Sequence, residues 1–77
     1  MYLYEVTIGD NQGCVNVGSV NVKADSFDVA YAKATTYIKR ETEGILRENT
    51  KEKPEDRVPK TYAYTIEAIK RIASIDL

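Results

Sequence analysis

Apolar and polar residues alternate one by one at the start of the chain. Tyr2, Tyr4, Val6 and Ile8 fall on one parity and Leu3, Glu5 and Thr7 on the other, the period of a half-buried strand. From Asp25 the period changes. Phe27, Ala30, Tyr31, Ala34 and Ile38 recur at three-and-four spacing, and Ile45 and Leu46 resume that face after a weak turn at Glu41 and Thr42, which predicts an amphipathic helix. Asp25 and Ser26 are both good N-caps, and Asp28 adds negative charge in the first turn, where the unpaired amides and the helix dipole favour it. Gly44 can either close the helix or be tolerated inside it at a cost of roughly 1 kcal/mol relative to alanine. Glu43 and Arg47 stand in the favourable i,i+4 order, so the helix is expected to continue to about Glu48.

Gly9, Asp10, Asn11, Gln12 and Gly13 form a dense turn cluster, which joins the first strand to a second as a hairpin. In that second strand Val15 and Val17 lie on one parity and Val20 and Val22 on the other, with Gly18 and Ser19 between them. A two-residue Gly-Ser turn would make a miniature hairpin of the near-palindrome Val-Asn-Val-Gly-Ser-Val-Asn-Val. A β-bulge at Gly18 would instead return all four valines to one face. The bulge is preferred, because hairpin arms of three residues are marginal and the first strand needs a full-length partner.

Beyond the helix, residues Asn49 to Lys60 carry two prolines, many charges and a single apolar side chain. This is a long loop, and loops of that kind in compact domains are either functional or mobile. In the last segment Tyr62, Tyr64 and Ile66 alternate as in a strand, while Ile66, Ile69, Ile72 and Ala73 also fit a helical face. Local pattern leaves both open. A two-stranded hairpin under one helix is barely stable, so a third strand is expected from Thr61 to about Ile72, with a bulge near Ala68 that moves the apolar parity to Ile69.

These elements give an α+β fold, ββαβ, in one domain over residues 1–77: a three-stranded antiparallel sheet of order 2-1-3 with the helix packed on one face. The covered face would gather the alternating apolar residues of all three strands against Phe27, Tyr31, Ala34 and Ile38. The uncovered face would show Leu3, Glu5, Thr7, Asn16, Asn21, Lys23, Ala63, Thr65 and Glu67, and the second and third strands would both be open edges. Antiparallel pairing also puts Tyr2 and Tyr4 at the opposite end of the sheet from Tyr62 and Tyr64.

Composition narrows the chemistry. Seventy-seven residues bury only about 60% of their extended-chain surface and fill one small core. Hydrophobic residues at 43% and charged residues at 30% suit a globular domain, and the net charge of −1 gives no sign of a polyanion binder. The first 31 residues hold one basic and four acidic side chains; the remainder holds ten basic and eight acidic. With one cysteine, Cys14, no internal disulfide can form, which fits a reducing cytosol. No apolar run approaches the roughly 20 residues that span a bilayer, and Met-Tyr-Leu-Tyr-Glu lacks the regions of a signal peptide. A cytoplasmic protein with no membrane association is expected.

The absence of histidine removes the commonest general base and metal ligand, and one cysteine cannot build a multi-thiolate zinc site. Neither phosphate-loop nor dinucleotide-binding glycine spacings occur. Cys14 reads as a small apolar strand residue, and the paired carboxylates Glu41 with Glu43 and Glu55 with Asp56 read as solvated surface. No catalytic, cofactor-binding or metal-ligating residues are expected, and no enzyme. Tyrosines beside basic residues can stack bases, yet their parity places them with the core, and the lysines and arginines alternate with acids, so nucleic acid is not the expected partner.

The order of an N-terminal strand, a second strand ending in Val-Asn-Val-Lys-Ala-Asp-Ser-Phe-Asp-Val-Ala (Val20 to Ala30), a helix, and a terminal Tyr-Thr-Ile-Glu-Ala-Ile-Lys-Arg (Tyr64 to Arg71) resembles small proteins of bacteriophages and Bacteroides-type mobile elements. Some anti-CRISPR proteins are similar in plan. The resemblance implies a non-catalytic protein that occupies a surface of a larger host machine, such as a defence complex, in the host cytoplasm if the chain is phage-encoded. The expected contact residues are Glu5, Thr7, Asn21, Lys23, Thr65 and Glu67 on the uncovered face and Lys51, Lys53, Arg57 and Lys60 on the loop. Two other readings stay open: a nucleic-acid-associated accessory protein using the four loop cations, and a self-associating structural protein that forms a homodimer through its edge strands.

Overall fold

The computed structural model describes residues 1–75. Strand β1 spans Tyr2–Asp10, β2 spans Gly18–Ala24, helix α1 spans Phe27–Glu48, and β3 spans Tyr64–Ser74, with single 3-10 turns at Asn49–Lys51 and Pro54–Asp56. The sheet is antiparallel throughout, in order β2-β1-β3, with α1 on one face. The expected ββαβ architecture is the one the chain adopts.

Helix α1 starts where the capping residues place it. The Ser26 hydroxyl accepts from the Val29 amide at 3.3 Å, Asp28 lies in the first turn and Arg47 in the last. Gly44 is carried through the interior without a break. The stripe against the sheet is narrower than the pattern predicts, however. Ala30 and Ala34 are fully buried and Ile38 packs beside them, whereas Phe27 and Tyr31 are 52% and 51% exposed. Two alanines one turn apart let the helix backbone come close to the strands. Tyr31 lies about 100° around the axis from Ala30, and so falls on the flank of that contact.

β1 runs two residues further than the alternation indicates, and Gly9 and Asp10 pair with Thr65 and Tyr64 instead of turning. The turn is Asn11 to Gly13, with Gly13 at φ +96°. It is closed by the Asp10 amide on the Cys14 carbonyl at 2.8 Å and by Asp10 Oδ1, which accepts from the amides of Gln12 and Cys14. Neither arrangement considered for Gly18 occurs. β1 and β2 keep one unbroken register from Tyr2 opposite Ala24 to Ile8 opposite Gly18, so Gly18 simply opens β2. Val15 and Val17 remain in the connecting loop, 71% and 44% exposed, and only Val20 and Val22 face the core. Cys14 is likewise an exposed loop residue and not a strand one.

The irregularities lie in β3, which starts three residues later than expected. Thr7 pairs with Ala68 but Ile8 with Ile66, leaving Glu67 as an extra residue, a bulge where one was predicted. A second leaves Ile72 extra, between Tyr4 opposite Arg71 and Leu3 opposite Ala73. The first bulge brings Ile69 onto the covered face opposite Val6. Two adjoining clusters result: Tyr4, Ala24 and Ala30 with Tyr2, Val22 and Ile69, and Val6, Ile8 and Ala34 with Val20, Ile38, Tyr64 and Ile66. The two tyrosine pairs sit at opposite ends as expected, each edge-to-face, with ring centroids 6.4 Å apart for Tyr2 and Tyr4 and 5.5 Å for Tyr62 and Tyr64. Ile38 already reaches the end of the β1–β2 ladder at Ile8, so the last turns of α1 extend beyond the sheet, and the molecule measures 48 × 20 × 15 Å.

Candidate functional site

The uncovered face of the sheet follows from the register. On β1 it carries Leu3, Glu5, Thr7 and Gly9; opposite these on β2 stand Lys23, Asn21 and Ser19. On β3 the opposing residues are Ala73, Lys70, Ala68 and Thr65. Glu5, Thr7, Asn21, Lys23 and Thr65 are therefore brought together as predicted. Glu67 joins them in its own way: as the bulged residue it lays its side chain over Gly9, with Oε1 2.6 Å from where a Cβ on Gly9 would be, and accepts from the Thr65 hydroxyl at 2.6 Å. Two expected members are missing. Asn16 lies in the exposed loop before β2, and Ala63 precedes β3, where its amide donates to Asn11 Oδ1 at 3.1 Å.

Lys70 is the charged member that sequence reasoning missed, alongside Gly9, Ser19, Ala68 and Ala73. It stands directly across from Glu5, with Asn21 on the other side. Carrying the predicted parity shift one residue past Ile69 would have found it. Leu3, half-buried, and Ala73 give this face an apolar end, next to Lys23. The rest is a mixed row of acids, amides, hydroxyls and lysines.

The loop cations form a second, separate surface. Residues 49–60 follow the overhanging end of α1 and are folded onto themselves: Asn49 Nδ2 donates to the Val58 carbonyl at 2.9 Å and its Oδ1 accepts from the Val58 amide at 3.2 Å. Lys51 Nζ lies 3.5 Å from Glu48, and Arg57 Nε donates to the Glu52 carbonyl. An open cleft between the loop and Leu46 is lined by Pro54, Val58 and Pro59 with Arg57 and Lys60 at its rim. Lys53 is exposed beside Pro54, and Glu52, Glu55 and Asp56 interrupt the basic row. Such exposed and interleaved charges contribute little individually.

A third cluster, at the hairpin tip, has no counterpart in the sequence reading. Tyr62, 8% exposed, donates its hydroxyl to Asp10 Oδ2 at 3.0 Å. Beside it Asn11 clasps the segment before β3, through Nδ2 on the Thr61 carbonyl at 2.7 Å and its own amide on the Ala63 carbonyl at 3.0 Å. Burial, the hydrogen bond to Asp10 and the charge of Asp10 together push the Tyr62 hydroxyl up to about 12. For Asp10, burial acts upward, but the hydrogen bonds from Gln12, Cys14 and Tyr62 outweigh it and hold the carboxyl below its ordinary value. The pair is thus a neutral donor fixed on an ionised acceptor, a latch between the hairpin and the start of β3.

Among the described residues no three acidic, cysteine or histidine side chains lie together as a metal site would require, and no helix is long and apolar enough to cross a membrane. The fold defines an α+β sheet-and-helix domain with one open sheet face. No family model, curated protein or solved structure matches the chain.

Proposed function

We propose that the protein is a non-catalytic protein-binding module whose working surface is the open face of the sheet. It acts by covering a surface of a larger complex, in the manner of a phage or mobile-element inhibitor of a host defence assembly. The observation that supports this reading is the register itself. It sets Glu5 between Lys70 and Asn21, and Thr7 between Ala68 and Ser19, on a face that α1 does not cover. A specific contact suits such a surface: mixed charge supplies orientation and rejects wrong partners, while the Leu3 and Ala73 end supplies apolar area.

The test is binding of the full chain to a CRISPR-type effector complex and, separately, to bare RNA and DNA, each at low and high salt. Glu5→Arg combined with Thr7→Arg is expected to lower affinity for the complex at least tenfold, and Lys53→Glu combined with Lys60→Glu to leave it unchanged. Equal affinity of the face variant and the wild type would overturn the open face as the site. Tight binding of bare nucleic acid with a steep salt dependence, lost in the loop variant, would overturn the protein-binding reading in favour of phosphate contacts by Lys51, Lys53, Arg57 and Lys60.

A further inference from the structure

The two edges of the sheet are not alike. β3 is eleven residues long, carries Glu67, Lys70 and Arg71, and is interrupted by both bulges; bulges and charges are the devices that stop an edge from recruiting another strand. β2 has less of this protection: no bulge interrupts it, and the charges along it are Lys23 and the Lys33 ammonium that covers the Lys23 carbonyl. Its seven residues, Gly18–Ala24, keep one register along β1, contain no proline and carry one charge, Lys23. The Lys33 ammonium donates to the Lys23 carbonyl, which shows that this carbonyl points away from β1. Hydrogen-bonding direction alternates along an antiparallel strand, so the backbone groups of Asn21 and Ser19 point outward as well, and no described residue pairs with them.

We propose that a second copy of this chain occupies that edge, antiparallel to the first and centred on Asn21. Asn21 is the midpoint of β2, so this is the one centre that pairs every residue of the strand. Asn21 meets Asn21, Val20 meets Val22 on both sides of the axis, Ser19 meets Lys23, and Gly18 meets Ala24. The outward residues Ser19, Asn21 and Lys23 face the same set in the other copy, so each N–H finds a carbonyl, the Lys23 carbonyl accepting from Ser19 of the other copy with the lone pair that Lys33 leaves open. The paired valines extend the covered face from one copy to the next, where cross-strand β-branched pairs stabilise a sheet. A shift of two residues would set Val22 against Gly18 and leave Lys23 opposite Val17, outside the strand.

The helix supports the same edge. Val29 and Tyr37 lie one turn before and after Lys33, on the same row of α1, and Tyr37 borders a groove with Gly18 and Ser19. Both are large apolar side chains left exposed, at 43% and 37%, next to the open strand. A two-fold axis perpendicular to the sheet keeps both helices on one face and brings these rows toward each other. It also closes the assembly, because each outermost strand is then a bulged β3. Lys33 of one copy meets the Arg40 and Glu41 region of the other, so charge does not select this register; the hydrogen bonds and valines do. A seven-residue edge with one helix row falls short of the roughly 800 Å² per partner of a standard interface, so the dimer is reversible, with a dissociation constant on the order of micromolar or weaker.

This pairing leaves the uncovered faces of both copies open, and it stands or falls independently of the binding reading above. The experiment is sedimentation equilibrium of the full chain from about 1 µM to about 1 mM, the range that brackets such an interface, with disulfide trapping in a Cys14→Ser background. The wild type is expected to pass from monomer to dimer, while Asn21→Lys, which sets like charges on the axis, stays monomeric with an unchanged circular dichroism spectrum. Asn21→Cys is expected to form an intermolecular disulfide, since directly opposed residues lie about 5.5 Å apart between Cα atoms, within disulfide reach. Ser19→Cys is expected not to form one. A wild type that stays monomeric throughout, equal trapping at Ser19→Cys and Asn21→Cys, or dissociation by Ile72→Lys on β3 in place of Asn21→Lys would each overturn the proposal.

Discussion

Gly9 is the position at which the hairpin, the bulge and the sheet are most tightly bound together, and replacing it with alanine tests that arrangement. Its backbone sits in β1 at an ordinary strand conformation, so alanine adds no torsional strain; of the glycines only Gly13 has a positive φ. The obstacle is space. A Cβ on Gly9 would lie 2.6 Å from the Cys14 carbonyl oxygen, 2.6 Å from Glu67 Oε1 and 2.7 Å from Glu67 Cγ. Contacts below 3.0 Å do not occur, so something must move by several tenths of an ångström. Glu67 is exposed and can swing away. The Cys14 carbonyl cannot move alone, because it accepts from the Asp10 amide and thereby closes the turn. Overpacking of this kind costs about 1–3 kcal/mol, offset by about 0.4–1 kcal/mol because alanine restricts the unfolded chain more than glycine. A net loss of about 1–2 kcal/mol follows, which with m near 1 kcal/mol/M for so small a domain lowers the urea midpoint by roughly 1–2 M at unchanged m. The double variant Gly9→Ala, Glu67→Ala should recover only part of this, because the backbone contact remains. A Gly9→Ala midpoint at or above that of the wild type would refute the reasoning. Full recovery in the double variant would show that Glu67 alone was the obstacle.

The other expectations concern the latch, the cap, the loop and the bulge. Burial and Asp10 favour the protonated Tyr62, whose folded value of about 12 lies above its ordinary 10.0; the stability it confers is complete below pH 10 and lost between pH 10 and 12. That loss is on the order of 1 kcal/mol once solvent screening at the Asp10 side of the pair is allowed for, and an alkaline unfolding series in which Tyr62→Phe falls as steeply as the wild type would contradict it. Asp10 works in the opposite sense: its carboxyl is held below 3.8, so its contribution is present at neutral pH and lost as the pH falls below that value. Ser26→Ala removes the acceptor for the Val29 amide and should cost about 0.5–1 kcal/mol, the lower part of the capping range given the 3.3 Å bond. Asn49→Ala releases both ties to Val58 and should speed amide exchange across residues 50–58 while leaving β1 exchange unchanged. Deleting Glu67 removes the residue that has no partner across the ladder, so the domain should still fold, whereas deleting Thr7 from β1, paired on both sides, should unfold it.

Period and capping carried most of the architecture. Alternation in Tyr2 to Ile8 and the cap at Ser26 are local signals, and the structure has both elements where those signals put them. The order of the strands followed from handedness and from the need for a third strand, which are global constraints that a short chain cannot escape. What local pattern could not reveal was competition for burial. Phe27 and Tyr31 fit the helical face as well as Ala30 and Ala34 do, but a helix that approaches the sheet through alanines has no room for both sets. Val15 and Val17 look like strand residues, yet the register is set by β1, whose last partners, Gly9 and Asp10, turn to β3 instead. The candidate face was legible as far as parity held, through Glu5, Thr7, Asn21 and Lys23. Past Ala68, where parity shifts, Lys70 was lost. The Asp10–Tyr62 latch joins residues 52 positions apart, and no periodicity encodes such a pair.

The bulge at Glu67 connects the core to the edges. With Glu67 kept and β3 regular, Ile66 and Ile69 would face opposite sides of the sheet, and one of them would leave the core. With the bulge, both face α1, and Lys70 is carried to the open face across from Glu5. The same insertion interrupts the outer rim of β3, which would otherwise be the longer and more adhesive of the two edges. The bulge therefore fixes which isoleucines fill a small core, which lysine reaches the candidate face, and which strand remains able to pair. Deleting Glu67 keeps Ile66, Ile69 and Lys70 on their faces but straightens β3 there, which frees the Gly9 side of the face from Glu67 and at the same time exposes a more regular edge where the present fold has a blunted one.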